Sequence, residues 1–562
     1  MKSEVYEFDA IVVGSGISGG WAAKELTEQG LKTLVLERGR MVEHIKDYTT
    51  TNMSPWEFRH RSYDTSKIKD EYPIQSTNYA FNEATMRYFV NDKENPYSTP
   101  DDQPFRWIRG YQVGGKSLIW ARQVYRWSKL DFEANARDGY GVDWPIRYED
   151  IAPWYDYVEE FAGISGQSEG NQMIPDGQFQ APMEMTCVEK HVRNELQKHW
   201  KDRLLTIGRV AHLMEPKKNR SKCQFRDLCY RGCPYGAYFS SNSSTLPAAM
   251  ETGNLTLRPN SIVESILYDD KKGKATGVRV LDAETGETNE YKARILFLCA
   301  STLGTTWIML NSRSSRFPNG FANDSGVLGH YLMDHHAEVV SAASYEAFNN
   351  KTSYGGRPNG IYIPRFQNVK ETHSDFIRGY GMQGNSYQTN WSSGLEKPGF
   401  GAEFKKSLTS NGTWIMLLEA FGECLPYYDN KVELDTEKVD KWGLPTLRIS
   451  AEFKENEQSM RKDMALSTAE ILEATGGKNV KTNIYEDIPG FAVHEMGTAR
   501  MGRDPETSIL NGYNQCHSVS NVFITDGSCM VSSACQNPSI TYMALTARAC
   551  AYAVNEMKKH NL

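Results

Sequence analysis

The sequence predicts an α/β fold (α+β overall) in which a domain on a mostly parallel sheet is interleaved along the chain with a second domain on an antiparallel sheet with helices. Three observations lead there. The first forty residues alternate apolar run, glycine turn, helical stretch and second apolar run. Short apolar runs of the buried-strand kind return near residues 295 and 522, far apart in the chain. The stretches between them mix strand-like and helix-like patterns without an internal repeat. For 562 residues at roughly 150 per domain, two large interleaved lobes fit better than a string of small domains.

The composition narrows the class of function. Hydrophobic residues at 40% and charged residues at 24% describe an ordinary globular chain and exclude disordered, collagen-like and cysteine-stapled ones. A formal net charge of −7 speaks against nucleic acid as a partner, because nothing neutralises phosphates in bulk. The best candidate for a membrane helix, Ile295 to Leu310, is broken by Ser301, Thr302, Gly304, Thr305 and Thr306, so no integral membrane segment is expected. The N-terminus enters a strand without a signal-type apolar run. The expected location is cytoplasmic, or periplasmic by way of a partner's or trimmed signal.

Taken in order, Phe8 to Val13 reads as a buried parallel strand. Gly14-Ser15-Gly16-Ile17-Ser18-Gly19 follows, then a helix to about Gln29, with Gly30 at its C-terminal end. Lys32 to Leu36 is a second strand ending at Glu37. This is a βαβ unit with a dinucleotide fingerprint. Gly14 allows the tight turn, Gly16 lets backbone N–H groups approach a pyrophosphate, and Gly19 lets helix and strand pack closely. The helix N-terminus offers partial positive charge to phosphate, and Glu37 stands where a carboxylate accepts ribose hydroxyls. The unit alone does not separate FAD from NAD.

Residues 41–105 are polar with no clear period and read as an excursion over the surface. A glycine-rich stretch from Arg109 to Trp120 feeds an apolar one. Asn254 to Cys299 reads as a hairpin-rich insertion returning to a buried strand, with Glu284-Thr285-Gly286 as a turn. The block 311–485 includes a strand at Thr446 to Ser450 and a helix near Glu457 to Thr475. Ser520 to Thr525 is another buried strand, ending at Asp526-Gly527, and a helix begins at Ser539.

Six motifs in this order resemble the glucose–methanol–choline (GMC) family of FAD oxidoreductases from end to end. They are VVGSGISGG with LVLERG, then GYQVGGKSLIW, GVLGHYLMDHH at 326–336, DKWGLPTLRI at 440–449, HEMGTARMG at 494–502, and VFITDGS with QNPSITYMALTARA at 522–549. Within the family the chain looks closest to bacterial glucoside 3-dehydrogenase and gluconate dehydrogenase catalytic subunits and to pyranose oxidase-like glycoside oxidases. The resemblance implies a Rossmann-like FAD-binding domain from 1–48, 104–130, 215–312 and 486–562. A substrate-binding domain with surface excursions would come from 49–103, 131–214 and 313–485. It places cofactor contacts at Gly14, Gly16, Ser18, Gly19, Glu37 and Arg38, at Val113, Gly114, Gly115, Ser117 and Trp120, and at Val263, Asp526, Gly527, Asn537 and Pro538.

Oxidising an alcohol with a flavin requires that the hydroxyl proton be removed while hydride leaves carbon. A neutral imidazole suits the first task, and a second polar side chain orients the hydroxyl. His494 matches the family's catalytic histidine and Asn537 its partner. Where pyranose oxidases carry a flavin-linked histidine, this chain has Ile119 before Trp120, so a non-covalent FAD is expected. Asp334-His335-His336 is expected to be a structural turn rather than a metal site. Cys223, Cys229 and Cys233 are spaced C-x5-C-x3-C-P, which leaves an iron–sulfur cluster and packed thiols both open. The latter is favoured because a single Cys223 stands where relatives carry two adjacent cysteines. The reading is oxidation of a secondary alcohol of a sugar or glycoside at pyranose C3 or C2. Oxygen, a quinone or a cytochrome would be the electron acceptor, and a small or cytochrome subunit a conceivable partner. The alternatives are a gluconate-type sugar-acid dehydrogenase, a non-sugar alcohol oxidase and a non-catalytic electron-transfer flavoprotein.

Overall fold

The computed structural model describes residues 7–353, 355–390, 398–409, 411–486 and 488–562. Its first sheet is centred on Phe8–Val13, which has parallel neighbours on both sides, Thr33–Leu36 and Thr288–Leu298. Leu255–Arg258 lies beyond the first and Val522–Ile524 beyond the second. A strand covered on both faces needs a continuous apolar run rather than alternation, and FDAIVV is nearly that. Ile17–Glu28 and Ser539–Lys558 pack together against one face, where Ala22, Ala23, Leu26, Ala549 and Ala553 meet Ala10, Val12 and Val35.

Thr288–Leu298 changes role midway. Its first half runs antiparallel to Lys274–Asp282, itself paired to Ser261–Asp269, and its second half joins the parallel sheet. This is the expected hairpin insertion with its return strand. The preceding run is not one strand, however. It breaks after Arg258, where Asn260 adopts φ +53°, a conformation Asn tolerates better than most side chains.

The second sheet is antiparallel throughout. Its order is Lys478–Ile484, His336–Ser344, Trp414–Gly422, Tyr380–Gln388, Ile361–Ile363, Thr206–Ile207. Helices Glu455–Ala474 and Cys187–His199 cover one face, with Met460, Met464, Ile471, Val192 and Leu196 against Met382, Met416 and Leu418. The strand period of two then sends Leu417, Glu419 and Phe421 to the opposite face, where they line a large cavity. The wall of the candidate site is therefore a sheet face.

The expectation that 41–105 runs over the surface needs correction. Short helical turns fold this segment onto a core of its own, in which Val42, Tyr48, Phe81, Tyr88 and Phe89 meet Ile108 and Leu118. Polar pegs hold it. Asp92 accepts from the backbone of Ile74 and Gln75 and from Gln75 Nε2, and Gln75 also bonds Trp107 O and Arg109 N. A segment organised by buried hydrogen bonds shows no hydrophobic period.

Candidate active site

One cavity of about 650 Å³ is lined both by the fingerprint loop and by His494 and Asn537. On the fingerprint side the glycines do different things. Gly14 has φ +94°, and a Cβ there would stand 2.4 Å from Cys299 O. A Cβ at Gly19 would stand 1.9 Å from Gly14 O, so helix and turn touch only without side chains. At Gly16 a Cβ would meet nothing within 4 Å, because the residue borders open cavity. That is the space a pyrophosphate on a helix N-terminus needs. Glu37 is buried and accepts from Ser15 N at 3.1 Å, Ser15 Oγ at 2.6 Å and Gly39 N at 2.9 Å. Ser15 Oγ in turn accepts from Gly114 N at 2.9 Å. The carboxylate thus shapes the loop as well as facing the cavity.

Of the other residues expected to touch a cofactor, Ser18, Arg38, Gly115, Ser117, Trp120, Val263, Asp526, Gly527 and Pro538 line this cavity, together with Ile119. Gly19, Val113 and Gly114 do not; they back it. Gly114 (φ +91°) packs against Asn242, whose amide nitrogen donates to Val113 O. Arg38 pairs with Asp440 at 3.2 Å and lies over Tyr111, so two motifs about 400 residues apart close one end of the cavity. Asp526 accepts from Thr305 Oγ1 and Ser528.

On the opposite side, His494 Nε2 lies 3.2 Å from Asn537 Nδ2, and Asn537 Oδ1 accepts from Gln383 Nε2 at 3.0 Å. His494 Nδ1 lies 2.9 Å from His335 Nδ1, and His335 Nε2 lies 3.1 Å from Ser533 O. Asp334 accepts from the backbone N–H groups of Gly490, Ala492 and His494 and so holds the loop carrying the histidine. Burial lowers His494 well below the ordinary imidazole range, helped by His335 and Lys116. Lys116 is itself paired with Glu495 at 2.9 Å. A neutral imidazole with an amide beside it can take a hydroxyl proton while the amide holds the oxygen.

Two of these residues escaped the sequence reading. Asp334-His335-His336 is not the expected turn but the entry to the strand His336–Ser344, and His335 contacts the predicted base. Gln383 lies on a strand whose cavity face is polar, and no motif marks it. Among the described residues, no group of three or more His, Cys, Asp or Glu side chains is set to hold a metal ion.

Cys223, Cys229 and Cys233 are free and half-buried. They converge on one small cavity that His212 and Asp227 also line. His212 Nε2 lies 3.6 Å from Cys229 Sγ, and His212 Nδ1 is buried without a partner. Asp227 and Pro358 line the large cavity as well, so the two spaces are neighbours.

The N-terminal part of the GMC oxidoreductase family matches residues 8–337 and its C-terminal part residues 426–546. The 2-methyl-1,2-propanediol dehydrogenase of Mycolicibacterium austroafricanum is 29% identical over 98% of this chain and 96% of its own length. The fructose dehydrogenase large subunit of Gluconobacter japonicus is 25% identical over the whole of both chains. Among solved structures, the formate oxidase of Aspergillus oryzae RIB40 superposes with a TM-score of 0.62 at 14% identity, covering 99% of this chain and 100% of that one, which supports the shared fold. The cavity, its glycine cradle and its imidazole–amide pair therefore belong to a member of the GMC oxidoreductase family, a flavoprotein oxidoreductase acting on alcohols.

Proposed function

We propose that this chain oxidises a secondary alcohol of a sugar or glycoside, at pyranose C3 or C2, to a keto-sugar. His494 takes the hydroxyl proton, Asn537 orients the hydroxyl, and FAD in the glycine-lined cavity supplies the hydride acceptor. The observation that carries the substrate class is the polarity of the wall opposite the fingerprint. Gln383, Asn385 and Glu419 on the strands of the second sheet, with Asn359 beside them, all line the cavity. A ligand with several hydroxyls gives the polar side chains of this lining hydrogen-bond partners that an alkyl alcohol would leave unmatched. Fructose dehydrogenase is named for a sugar and the propanediol enzyme for a small diol. A small diol is the runner-up because it would leave most of this wall untouched. Anaerobic flavin bleaching against sugars, glycosides, sugar acids, polyols and choline tests the reading, with bleaching fastest for a pyranose or pyranoside; preference for a small diol would overturn it.

Ile119 at the place of a flavin-linking histidine supports non-covalent FAD, which acid precipitation should release. Flavin retained in the protein pellet would contradict this. For the cysteines, convergence on one cavity favours a second reading, a cluster held by Cys223, Cys229 and Cys233 that would relay electrons to an external acceptor. A cluster's thiolates bind different irons and need not crowd as ligands of a single ion do. Anaerobically prepared protein should then hold roughly three irons per chain, and Cys223→Ser should lose cytochrome or dye reduction while flavin bleaching by sugar continues. Iron-free protein with normal activity returns the trio to packed thiols and leaves oxygen or a quinone as acceptor.

A further inference from the structure

We infer that His335 is a positioning residue that selects which ring nitrogen of His494 faces the substrate; the inference rests on the proposed role of His494 as base. The hydrogen-bond chain starts at a carbonyl. Ser533 O can only accept, so His335 Nε2, 3.1 Å away, carries the hydrogen. Burial lowers His335 to about 4 and keeps the ring neutral, so its Nδ1 is a lone pair. At 2.9 Å that lone pair accepts from His494 Nδ1–H, so the lone pair of His494 lies on Nε2. The same tautomer follows from the opposite end. Gln383 Nε2 donates to Asn537 Oδ1 and thereby turns the Asn537 amide nitrogen toward His494. An amide N–H only donates, so His494 Nε2 accepts at 3.2 Å.

The consequence is directional. A substrate hydroxyl donates its proton to His494 Nε2 and accepts from Asn537 Nδ2–H, which leaves its carbon–hydrogen bond free to deliver hydride. Once Nε2 is protonated, His494 is an imidazolium with two N–H groups, and His335 Nδ1 is the acceptor for the second. Because that acceptor is neutral, it sets the tautomer without the rise in basicity a carboxylate partner brings. The other charged and titratable groups around the pair are Lys116 in its ion pair with Glu495, Asp334 under the loop backbone, Glu419 on the facing strand and His336 beyond His335.

The test measures anaerobic flavin reduction across pH in FAD-loaded protein carrying His335→Leu, His335→Asn or His335→Asp. Asn and Asp place an oxygen at the same bond distance from the backbone as His335 Nδ1. His335→Leu should lower the plateau rate by about 10²–10⁴-fold with FAD content unchanged, the range expected when a base is held in the wrong tautomer. His335→Asn should stay within about tenfold of the parent because its oxygen still accepts. His335→Asp should move the acidic limb upward by about one to three pH units, since it puts a charge beside His494. Nitrogen-15 spectra of histidine-labelled holoenzyme, with His494 assigned by its loss in His494→Gln, should show Nδ1 protonated and Nε2 bare. A His335→Leu protein with parental rate and pH profile, or a His494 protonated at Nε2, overturns the inference. If His335→Leu does not fold, the Asn and Asp variants and the nitrogen spectrum decide the matter. Undiminished flavin reduction in His494→Ala would instead sink the base assignment, while the nitrogen spectrum would still report the tautomer.

Discussion

The two walls of the cavity are built on different principles. The fingerprint wall is mostly backbone, shaped by one βαβ unit with Gly114 and Cys299 against it, and what matters there is the absence of side chains at Gly14, Gly16 and Gly19. The wall opposite is made of side chains gathered from remote segments: His335 and His494 are 159 residues apart, and Gln383 and Asn537 are 154 apart. A backbone cradle binds any group of the right charge and width, whereas a side-chain array discriminates atom by atom. The first wall is thus suited to a constant cofactor and the second to a particular substrate, and changes on the two sides should fail in different ways.

The largest effect should come from the fingerprint wall. Gly14→Ala combines φ +94° with a Cβ 2.4 Å from a backbone carbonyl, so purified protein is expected to carry no measurable FAD by absorbance. Gly30→Ala shares the positive φ but has nothing within 4 Å; it should keep FAD and cost about 1 kcal/mol in denaturant unfolding. Full FAD in the Gly14 variant would break the contrast. Next, His494→Ala should bind FAD normally yet slow anaerobic flavin reduction by about 10²–10⁴-fold. Loss of FAD in that variant would mean that the walls are not separable. Asn537→Ala should cost less, about tenfold to a hundredfold, because water can replace part of its hydrogen bond; stopped-flow traces at saturating substrate measure it.

The smallest effect is one of pH. Burial holds His494 well below the ordinary value of 6.5, which keeps the imidazole neutral for the proposed proton abstraction. The rate of flavin reduction should therefore stay flat down through pH 6.5 and fall only below it. An acidic limb centred at or above 6.5 would show that the base is less desolvated than its surroundings indicate. Such a limb would also match a charged neighbour in place of His335.

The chain sequence by itself determined the parallel βαβ unit, its glycine turn, the family and the His494–Asn537 pair. These are legible because their signals are local: strand, turn and helix follow one another within thirty residues, and each motif is contiguous. It did not reveal that 41–105 folds on a core of its own, because that core is held by Asp92 and Gln75 rather than by an apolar period. Nor did it reveal Gln383 or the second function of His335. Tyr380–Gln388 and Trp414–Gly422 pair in a register that sets Gln383 opposite Glu419, and the strand His336–Ser344 of the same sheet begins beside His335. Which side chains of an antiparallel sheet face a cavity depends on strand order and register, which distant pairings establish only when the chain closes on itself. The hydrogen bonds around His494 were decided there, with a backbone carbonyl at Ser533 behind His335 and an amide at Gln383 behind Asn537.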